Sequence, residues 1–299
     1  MLHFCSMGPA TKAALFAITF AVTIKLISKL MRNVFDASQL RGKRVLITGA
    51  SSGIGEELAY QYAKNGASVF ITARREKVLQ QVVEKCKEIG SNDSKFGYKI
   101  ADMKQKADME QLVKTAVKEL GGLDVVIINH AILLDFKNSE DLNLAMEDLE
   151  TSLTVNAVAP AYIAGLTLPH LLKSGGQLGV VNSVGGKVAT QYGRAYSTSK
   201  FALEGYFTSL ADEMKNSNVS VTNIVLGAID TPGARRMLAN AVKDLNFPAD
   251  YPLANVVDTA RFIIQGVASR KREIYYPTKL NYLILLRDIQ FRLGYLWIS

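Results

Sequence analysis

The stretch Thr48–Gly55, which reads TGASSGIG, limits the folds open to this chain more than any other feature. It follows the apolar run Val45–Ile47 and precedes residues 57–63, whose apolar spacing predicts a helix. A strand, a glycine-rich turn and a helix in that order direct backbone N–H groups and the positive end of the helix dipole to one point, where an anion can bind. The glycine spacing is G-x-x-x-G-x-G and not the G-x-G-x-x-G of the usual nucleotide-binding fingerprint, so a turn that serves only packing stays an alternative.

Strand-like and helix-like segments alternate along the rest of the chain. Seven short apolar runs predict strands at 43–48, 67–72, 96–101, 123–128, 177–181, 219–225 and 273–276. Helical patterns lie between them, at 53–65, 76–89, 107–120, 142–153, 155–172, 195–215 and 256–268. Short apolar strands separated by helices favour a parallel sheet with both faces covered, and right-handed crossovers give a doubly wound order. The sequence therefore predicts an α/β chain with a single doubly wound Rossmann domain, built on a seven-stranded parallel sheet with helices on both faces.

Composition and charge exclude several classes of function. Most of the net charge of +8 comes from residues 1–44, which hold seven Lys/Arg and one Asp, whereas the remainder holds 28 Lys/Arg and 26 Asp/Glu. A nearly neutral body is not the basic surface of a nucleic-acid-binding protein. Cys5 and Cys86 give no readable disulfide framework, and three histidines far apart in the sequence give no metal-ligand spacing. No nucleic acid and no metal is expected.

An apolar run near the N-terminus predicts a membrane anchor. Residues 13–24 are uncharged. Counting on to Leu30, with Lys25 and Lys29 reaching the interface, gives about 27 Å of helix, close to a hydrocarbon core of roughly 30 Å. The alternative is an amphipathic helix that lies on the bilayer. The orientation stays open, because the basic residues after the run favour a cytosolic body, whereas the glycosylation triplets at Asn92 and Asn218 require a lumenal one.

Two segments in the last third of the chain each allow two interpretations. The connection 227–253 carries three prolines and is long for this fold, which is typical of a lid, or else of an inert surface loop. Residues 279–299 are rich in apolar side chains but are interrupted by Arg287, Asp288 and Arg292, so they do not form a full membrane span. They either pack on their own domain or contact a membrane or a second copy of the chain.

The end of the second predicted strand indicates the preferred nucleotide. In a Rossmann sheet a carboxylate here accepts a hydrogen bond from a free ribose 2′-hydroxyl, whereas an arginine accommodates a 2′-phosphate. The strand ends in Thr72-Ala73-Arg74-Arg75, with no acid. This favours NADP over NAD, the alternative being arginines that only solvate the next helix. Asp102, which closes the third strand, either bonds the adenine amine or serves only a turn.

A group of polar residues at strand ends and on helices indicates acid–base chemistry. Tyr196 and Lys200 are four residues apart at the start of a predicted helix, which puts phenol and ammonium on one face. A nearby cation lowers the pKa of a tyrosine and suits it to proton transfer. Taken alone, a Tyr/Lys pair at this spacing is equally typical of a solvent-exposed helix face with no catalytic role. Ser183 follows the fifth strand, Asn129 closes the fourth, and Asn156 lies in a helix.

These motifs together resemble the classical short-chain dehydrogenases/reductases. The resemblance is carried by TGASSGIG, by Asn129-His130-Ala131, by Asn156 and Ser183, and by YSTSK at 196–200, and it extends from about Arg41 to Tyr276. Within that family, YSTSKFALEGYFTSL and LGAIDTPGA are similar to the membrane-bound group that contains 11β-hydroxysteroid dehydrogenase type 1.

The resemblance implies a role for each matching residue. Tyr196 exchanges a proton with the substrate oxygen, Lys200 holds the nicotinamide ribose and lowers the Tyr196 pKa, and Ser183 bonds the substrate oxygen. Asn156 supports a water relay to Lys200, which completes the catalytic set. The residues assigned to NADP(H) are Gly49, Ser51, Ser52, Gly53, Ile54, Gly55, Arg74, Asp102, Met103, Asn129, Tyr196, Lys200 and Thr231.

The chain departs from the family pattern at three places. Ser52 stands where many NADP-preferring members carry a basic residue, which leaves Arg74 as the main contact for the 2′-phosphate. Leu226-Gly227 replaces the usual Pro-Gly after strand six, and Ile132 replaces a glycine after Ala131. The last two departures affect loop shape more than chemistry.

The expected protein is an NADP(H)-dependent oxidoreductase that interconverts a hydroxyl and a ketone on a hydrophobic substrate. A steroid is the first candidate for that substrate. Retinoids, long-chain ketones and xenobiotic carbonyls are the alternative substrates. The remote alternative function is a nucleotide-binding scaffold without catalytic activity. We expect an N-terminal membrane anchor and linker over 1–40, a Rossmann catalytic domain over 41–277 and the apolar C-terminal segment over 278–299. A homodimer held to the endoplasmic reticulum membrane by this single-pass anchor is also expected.

Overall fold

The computed structural model describes residues 8, 17, 19–21, 23–24, 35–134, 141–189, 192–246, 248–282 and 284–286. The chain divides into two units, residues 1–36 and residues 37–299. The second unit holds the sheet and the candidate site.

Seven parallel strands form one sheet in the order β3-β2-β1-β4-β5-β6-β7. Their bounds are Arg44–Thr48 (β1), Ser68–Ala73 (β2), Phe96–Ile100 (β3), Val125–Ile128 (β4), Gln177–Ser183 (β5), Ser220–Leu226 (β6) and Glu273–Tyr276 (β7). β1 lies between β2 and β4, with Ile47 beside Ile71 on one side and Ile127 on the other. The strand order reverses direction between β1 and β4, which opens the crevice where such sheets bind ligands.

Helices follow the strands and cover both faces of the sheet. Their bounds are Gly53–Lys64 (α1), Glu76–Ile89 (α2), Lys106–Leu120 (α3), Leu142–Leu153 (α4), Ala159–Ser174 (α5), Arg194–Glu213 (α6), Pro232–Leu245 (α7) and Val256–Ala268 (α8). A π-helical turn, Thr154–Val158, joins α4 to α5 without a break. α1, α2 and α8 pack together on one face, while α3, α5 and α6 cover the other.

The core forms because alternate strand residues face opposite helical layers. Leu46 and Val126 point to the layer of α3, α5 and α6, where they join a cluster that includes Phe207. Ile127 points to the other layer, near Val267 of α8. Most residues of the inner strands are buried on both faces, which is why their sequences read as continuous apolar runs.

The predicted fold class is confirmed, since the sheet has seven parallel strands in doubly wound order. The connection 227–253 is not one long loop, because α7 occupies Pro232–Leu245 within it; its role as a lid stays a prediction. Thr231 caps this helix by accepting a hydrogen bond from the Ala234 N–H, and proline occupies the first helical position, where no N–H is needed.

The predicted N-terminal anchor lies mostly outside the described residues. The described ones between 17 and 24 are helical and exposed. One helix among the described residues, Leu142–Ser174, is long and apolar enough to cross a membrane, with a mean hydropathy of 1.3. Its inward residues Ile163 and Leu171 are fully buried in the domain core, as expected of a core helix.

Candidate active site

The glycine-rich loop is fixed to the neighbouring strand by Asn129. Its side-chain Nδ2 donates to the carbonyl oxygens of Thr48 and Gly49, each at 3.1 Å, and its backbone N–H donates to Thr48 Oγ1. Gly49 has φ +68°, and a Cβ there would lie 2.6 Å from His130 Cα. A Cβ on Gly55 would lie 2.5 Å from Asn129 Nδ2, so both positions require glycine.

The loop also meets the start of α7. A Cβ on Gly53, which has φ +61°, would lie 2.8 Å from Thr231 Cγ2. Thr231 is therefore in contact with the glycine-rich loop at the same point where it caps α7. Both residues line the same cavity.

The ends of β2 and β3 form the far side of the crevice. Arg74 and Arg75 follow β2 and are exposed. Arg75 Nη2 donates to the carbonyl oxygen and to Oγ of Ser51, both at 3.0 Å. Asp102 Oδ1 accepts a hydrogen bond from the Lys104 N–H, which is the turn role considered for it, and Met103 beside it is largely buried.

Ser183 ends β5, which is two residues longer than the predicted strand. Its backbone N–H donates to Oδ1 of Asn182, and its Oγ accepts from the Gly185 N–H at 3.1 Å. Gly186 packs against α6, since a Cβ there would lie 2.6 Å from the carbonyl oxygen of Lys200. The turn after β5 thus fixes the serine against the helix that carries Tyr196.

Tyr196 and Lys200 lie one turn apart on α6. The side chains of Ser183 and Tyr196 are neighbours, since a Cβ on Gly185 would lie 3.1 Å from Tyr196 Cε1 and 3.5 Å from Ser183 Oγ. Lys200 is 2% exposed, its Nζ donates to the carbonyl oxygen of Val181 at 3.1 Å, and it lies 5.9 Å from the centre of the Tyr196 ring. The three side chains that the sequence singled out are therefore brought together at the carboxyl end of β5.

Burial dominates the ionisation of this pair. Loss of solvent lowers the pKa of Lys200 to about 8. Loss of solvent also raises the pKa of Tyr196, and the hydrogen bond with Ser183 offsets this only in part. The expected direction for Tyr196 was the opposite, because the sequence does not show how completely the phenol is removed from water.

Asn156 lies in the π-helical turn and is fully buried. Its Oδ1 accepts from the Ile132 N–H at 2.8 Å, and its Nδ2 donates to the Ile132 carbonyl oxygen and to Ser199 Oγ, both at 3.1 Å. The side chain thus joins the segment after β4 to α6. It lies behind the cavity wall, so its relay role stays a prediction.

His130 is a buried histidine beside this set. Thr48 Oγ1 accepts from two backbone N–H groups, so its own proton goes to His130 Nδ1 at 2.7 Å, which assigns the Nε2–H tautomer. Burial and the nearby charge of Lys200 lower the pKa of His130 to about 3. The ring is therefore neutral and serves the packing of β1 against β4.

One cavity of about 1100 Å³ connects these parts. It runs from Arg74 and Asp102 past the glycine-rich loop to Ser183 and Tyr196, and then to an apolar end lined by Leu133, Val184, Tyr192, Met237 and Tyr251. The predicted site residues on its wall are Gly49, Ser51, Ser52, Gly53, Ile54, Arg74, Asp102, Met103, Asn129, Ser183, Tyr196, Lys200 and Thr231. Gly55 and Asn156 are not on that wall.

Some contributors to the site were not predicted. Thr48 and His130 hold the end of β1 against β4, and Arg75 binds the glycine-rich loop. The only sequence feature that points to the contact of Arg75 with the loop is its place in the adjacent pair Arg74-Arg75. Nothing in the sequence distinguishes Thr48 from an ordinary strand-end threonine.

Comparisons with known proteins agree with this geometry. A family model for short chain dehydrogenases matches residues 43–241. The hydroxysteroid 11-beta-dehydrogenase 1-like protein of Xenopus tropicalis is 38% identical over 272 residues, which is 90% of this chain and 91% of the frog protein. The protein of the same name from Gallus gallus is 40% identical over 273 residues, 91% of this chain and 90% of the chicken protein.

Solved structures show the same fold at lower identity. Levodione reductase superposes with a TM-score of 0.72 at 19% identity, covering 79% of this chain and 96% of that chain. A variant of actinorhodin polyketide ketoreductase with NADPH gives 0.70 at 21% identity, covering 78% and 95%. The family match and the close relatives, together with the site geometry, lead to one conclusion: the chain belongs to the short-chain dehydrogenase family.

Proposed function

We propose that this protein is an NADP(H)-dependent oxidoreductase that interconverts a hydroxyl and a ketone on a hydrophobic substrate. A steroid is the leading candidate for the substrate. The observation that carries the proposal is the position of Ser183 and Tyr196 on the wall of the same cavity as the glycine-rich loop. A nucleotide held by that loop then has its reactive end next to an acid–base group.

The residues present fit a phosphorylated dinucleotide. Gly49 and Gly53, both with positive φ, form the turn that leads into the N-terminus of α1, where backbone N–H groups can bind a pyrophosphate. Arg74 lies on the cavity wall at the end of β2, where an NAD site carries an acid. Asn129, Met103 and Thr231 line the path between that end and Tyr196.

The proposed chemistry divides between the cofactor and the chain. When bound, the nicotinamide supplies or accepts the hydride. Tyr196 donates its phenolic proton to the substrate oxygen in reduction and accepts it in oxidation, while the Ser183 hydroxyl bonds the same oxygen. Lys200 holds the ribose hydroxyls through its ammonium group. With its pKa above the ordinary value, the Tyr196 phenol is protonated at neutral pH, so in the proposed reduction the proton starts on the tyrosine.

The substrate class rests on the apolar end of the cavity and on the names of the relatives. Leu133, Met237 and Tyr251 line this end, so a hydrophobic body can be buried there. Relatives at 35–40% identity are named as hydroxysteroid 11-beta-dehydrogenase 1-like proteins. Retinoids, long-chain ketones and xenobiotic carbonyls suit the same apolar wall and form the second candidate class.

Membrane attachment and dimer formation are further parts of the proposal. The apolar run at residues 13–30 supports a single-pass anchor in the endoplasmic reticulum membrane, on either face. Exposed apolar side chains on neighbouring helical segments support a homodimer, namely Val158 on the π-helical turn, and Phe201 and Tyr206 on α6. The predicted role of the C-terminal segment falls largely on residues 287–299, outside the described residues.

The test combines a substrate screen with a matched pair of variants. Steroid, retinoid and aliphatic ketones are offered with NADPH, and NADPH consumption is followed. We expect Tyr196→Phe to abolish turnover while NADPH binding persists, and Tyr98→Phe, outside the cavity wall, to keep turnover. Unchanged turnover in Tyr196→Phe would overturn the proton-transfer role, and no consumption with any ketone would favour the silent scaffold.

A further inference from the structure

Arg236 on α7 is a charged side chain at the apolar end of the cavity. It lies on the cavity wall and follows Gly233 by three residues, so the two are neighbours on the surface of the helix. A Cβ on Gly233 would lie 3.5 Å from Leu133 Cδ1, which places this part of α7 against the apolar wall after β4. Met237, the next residue of α7, lines the same end. Arg236 therefore lies beside the space proposed for the substrate body.

The charge of Arg236 is not balanced by a neighbouring acid. In the part of the chain that the structure describes, no hydrogen bond or ion pair engages its guanidinium. The nearest acid in the sequence, Asp230, already accepts from Nε and Nη2 of Arg235, at 2.5 and 2.7 Å. The α7 residues three and four positions away, where an ion-pair partner would lie, carry no charge, namely Pro232, Gly233, Ala239 and Asn240.

The other charges of the cavity wall lie elsewhere. Of the wall residues that the structure describes, the charged ones besides Arg236 are Arg74, Arg75, Asp102, Lys104 and Lys200. The first four follow β2 and β3, at the proposed nucleotide end, and Lys200 belongs to the proposed ribose contact. Among these wall residues, the apolar end therefore holds one cation and no acid. A hydrophobic ligand that carries an anionic group matches both properties of this end.

We propose that Arg236 binds a carboxylate or a sulfate that the substrate carries at a distance from its reacting carbon. This inference rests on the proposed function and narrows its substrate class to hydrophobic ketones or alcohols with an acidic group. The methylene stem of an arginine packs along an apolar wall while its head stays in water, and Arg236 is exposed. The body of an anionic substrate is then buried in the cavity, while its acidic group remains partly hydrated and accepts paired N–H bonds from the guanidinium.

The test compares anionic ketones with neutral partners. One pair is a long-chain oxo fatty acid and its methyl ester, and the other is estrone sulfate and estrone. Dissociation constants are measured by equilibrium dialysis on the full chain saturated with NADP⁺, because an oxidised cofactor does not reduce a ketone. We expect Arg236→Gln to weaken the binding of at least one anion about fivefold or more, with its neutral partner unchanged. The pair that shows this difference identifies the carboxylate or the sulfate as the ligand.

Two further variants test the role of the charge. Arg236→Lys keeps the positive charge and should retain part of the affinity for the anion. Lys243→Gln removes a cation from the exposed surface of the same helix, outside the cavity wall, and is the matched control. It should change none of the dissociation constants. An equal loss of anion affinity in Lys243→Gln would reduce the effect to the general charge of α7 and would overturn the proposal.

Three other results in Arg236→Gln would also overturn it. Equal weakening of an anion and its neutral partner would mean that the side chain contributes only packing, and unchanged binding of both anions would make it a solvated surface charge. A comparable loss of NADP⁺ affinity would assign the cation to the cofactor. NADPH consumption with the same ketones tests the proposed function separately. Turnover without any dependence of anion binding on Arg236 rejects this inference alone, whereas Arg236-dependent anion binding without turnover rejects only the proposed oxidoreductase activity.

Discussion

Asn182 Nδ2 donates to Glu204 Oε2 at 2.8 Å and thereby ties the end of β5 to α6. The other end of the same amide accepts the backbone N–H of Ser183. Glu204 also accepts from Lys187 at 2.6 Å, from Thr208 and from Asn223. Burial acts to lower the pKa of Lys187, but the bonds to Glu204 and Glu273 raise it overall. A half-buried polar cluster therefore supports the serine from behind.

Replacement of Glu204 should damage both stability and turnover. Glu204→Ala leaves the amides of Asn182 and Asn223 without their acceptor, and we expect a loss of about 2–4 kcal/mol in the free energy of unfolding. Glu204→Gln keeps one acceptor oxygen and should lose less. Urea unfolding and kcat at saturating NADPH measure the two effects. Glu213→Ala, at the exposed end of the same helix, is the control; a loss there as large as in Glu204→Ala would contradict this assignment.

The lowered pKa of Lys200 predicts that nicotinamide binding weakens in alkali. With a pKa of about 8, Lys200 is charged below that pH and becomes neutral above it. If its ammonium holds the ribose, the dissociation constant of NADPH rises from pH 7 to pH 9.5. The fragment 2′,5′-ADP lacks the nicotinamide ribose and should bind with little change over this range. The same rise for both ligands would assign the titration to another group.

The buried His130 predicts a loss of stability in acid. Its pKa is about 3 in the folded chain, against an ordinary value of 6.5. The unfolded chain therefore takes up a proton first as the pH falls below 6.5, and folding stability drops by about 1.4 kcal/mol per pH unit down to the folded pKa. His130→Asn removes this contribution. Urea unfolding at pH 7 and pH 4.5 should show a smaller decrease in the variant, since all other titrations are common to both proteins; equal decreases would refute the assignment.

A methyl group at Gly53 should disturb the loop and α7 together. The φ of +61° disfavours alanine, and the new Cβ would lie 2.8 Å from Thr231 Cγ2. We expect Gly53→Ala to weaken NADPH binding at least tenfold, with an unfolding cost of about 1–2 kcal/mol. Gly205→Ala on α6 meets no atom within 4 Å and should be neutral or stabilising by up to about 1 kcal/mol. Tight NADPH binding by Gly53→Ala would show that this contact is dispensable.

The sheet was predictable because its inner strands are buried on both faces and read as apolar runs. The last two residues of β5, Asn182 and Ser183, were not predicted as strand, since a strand that ends in polar residues resembles a loop in sequence. The helix α7 was also predictable in principle, because Thr231 and Pro232 are the cap and first-turn residues of a helix start. The choice of Tyr196, Lys200 and Ser183 came from motif spacing. The direction of their pKa shifts could not be predicted in this way, because burial depends on segments that are distant in sequence.

The π-helical turn could not be anticipated, because TVNAV has the same apolar pattern as an ordinary helix. Its extra residue per turn changes the direction of Asn156 and lets the amide meet both backbone groups of Ile132. The positions of single hydrogen-bonding atoms depend on such local departures, which residue spacing does not encode.

The two walls of the cavity are supported very differently. The wall after β4 is held by the paired bonds between Asn156 and Ile132, much as a strand is held by its neighbour. On the opposite wall, α7 buries only Ala241 fully and packs weakly against the other described helices and strands. In the proposed reaction, proton transfer therefore takes place away from α7, while the substrate body rests against this weakly packed helix. A chain built this way can acquire a new substrate range through changes in α7 alone, with its reaction chemistry left intact.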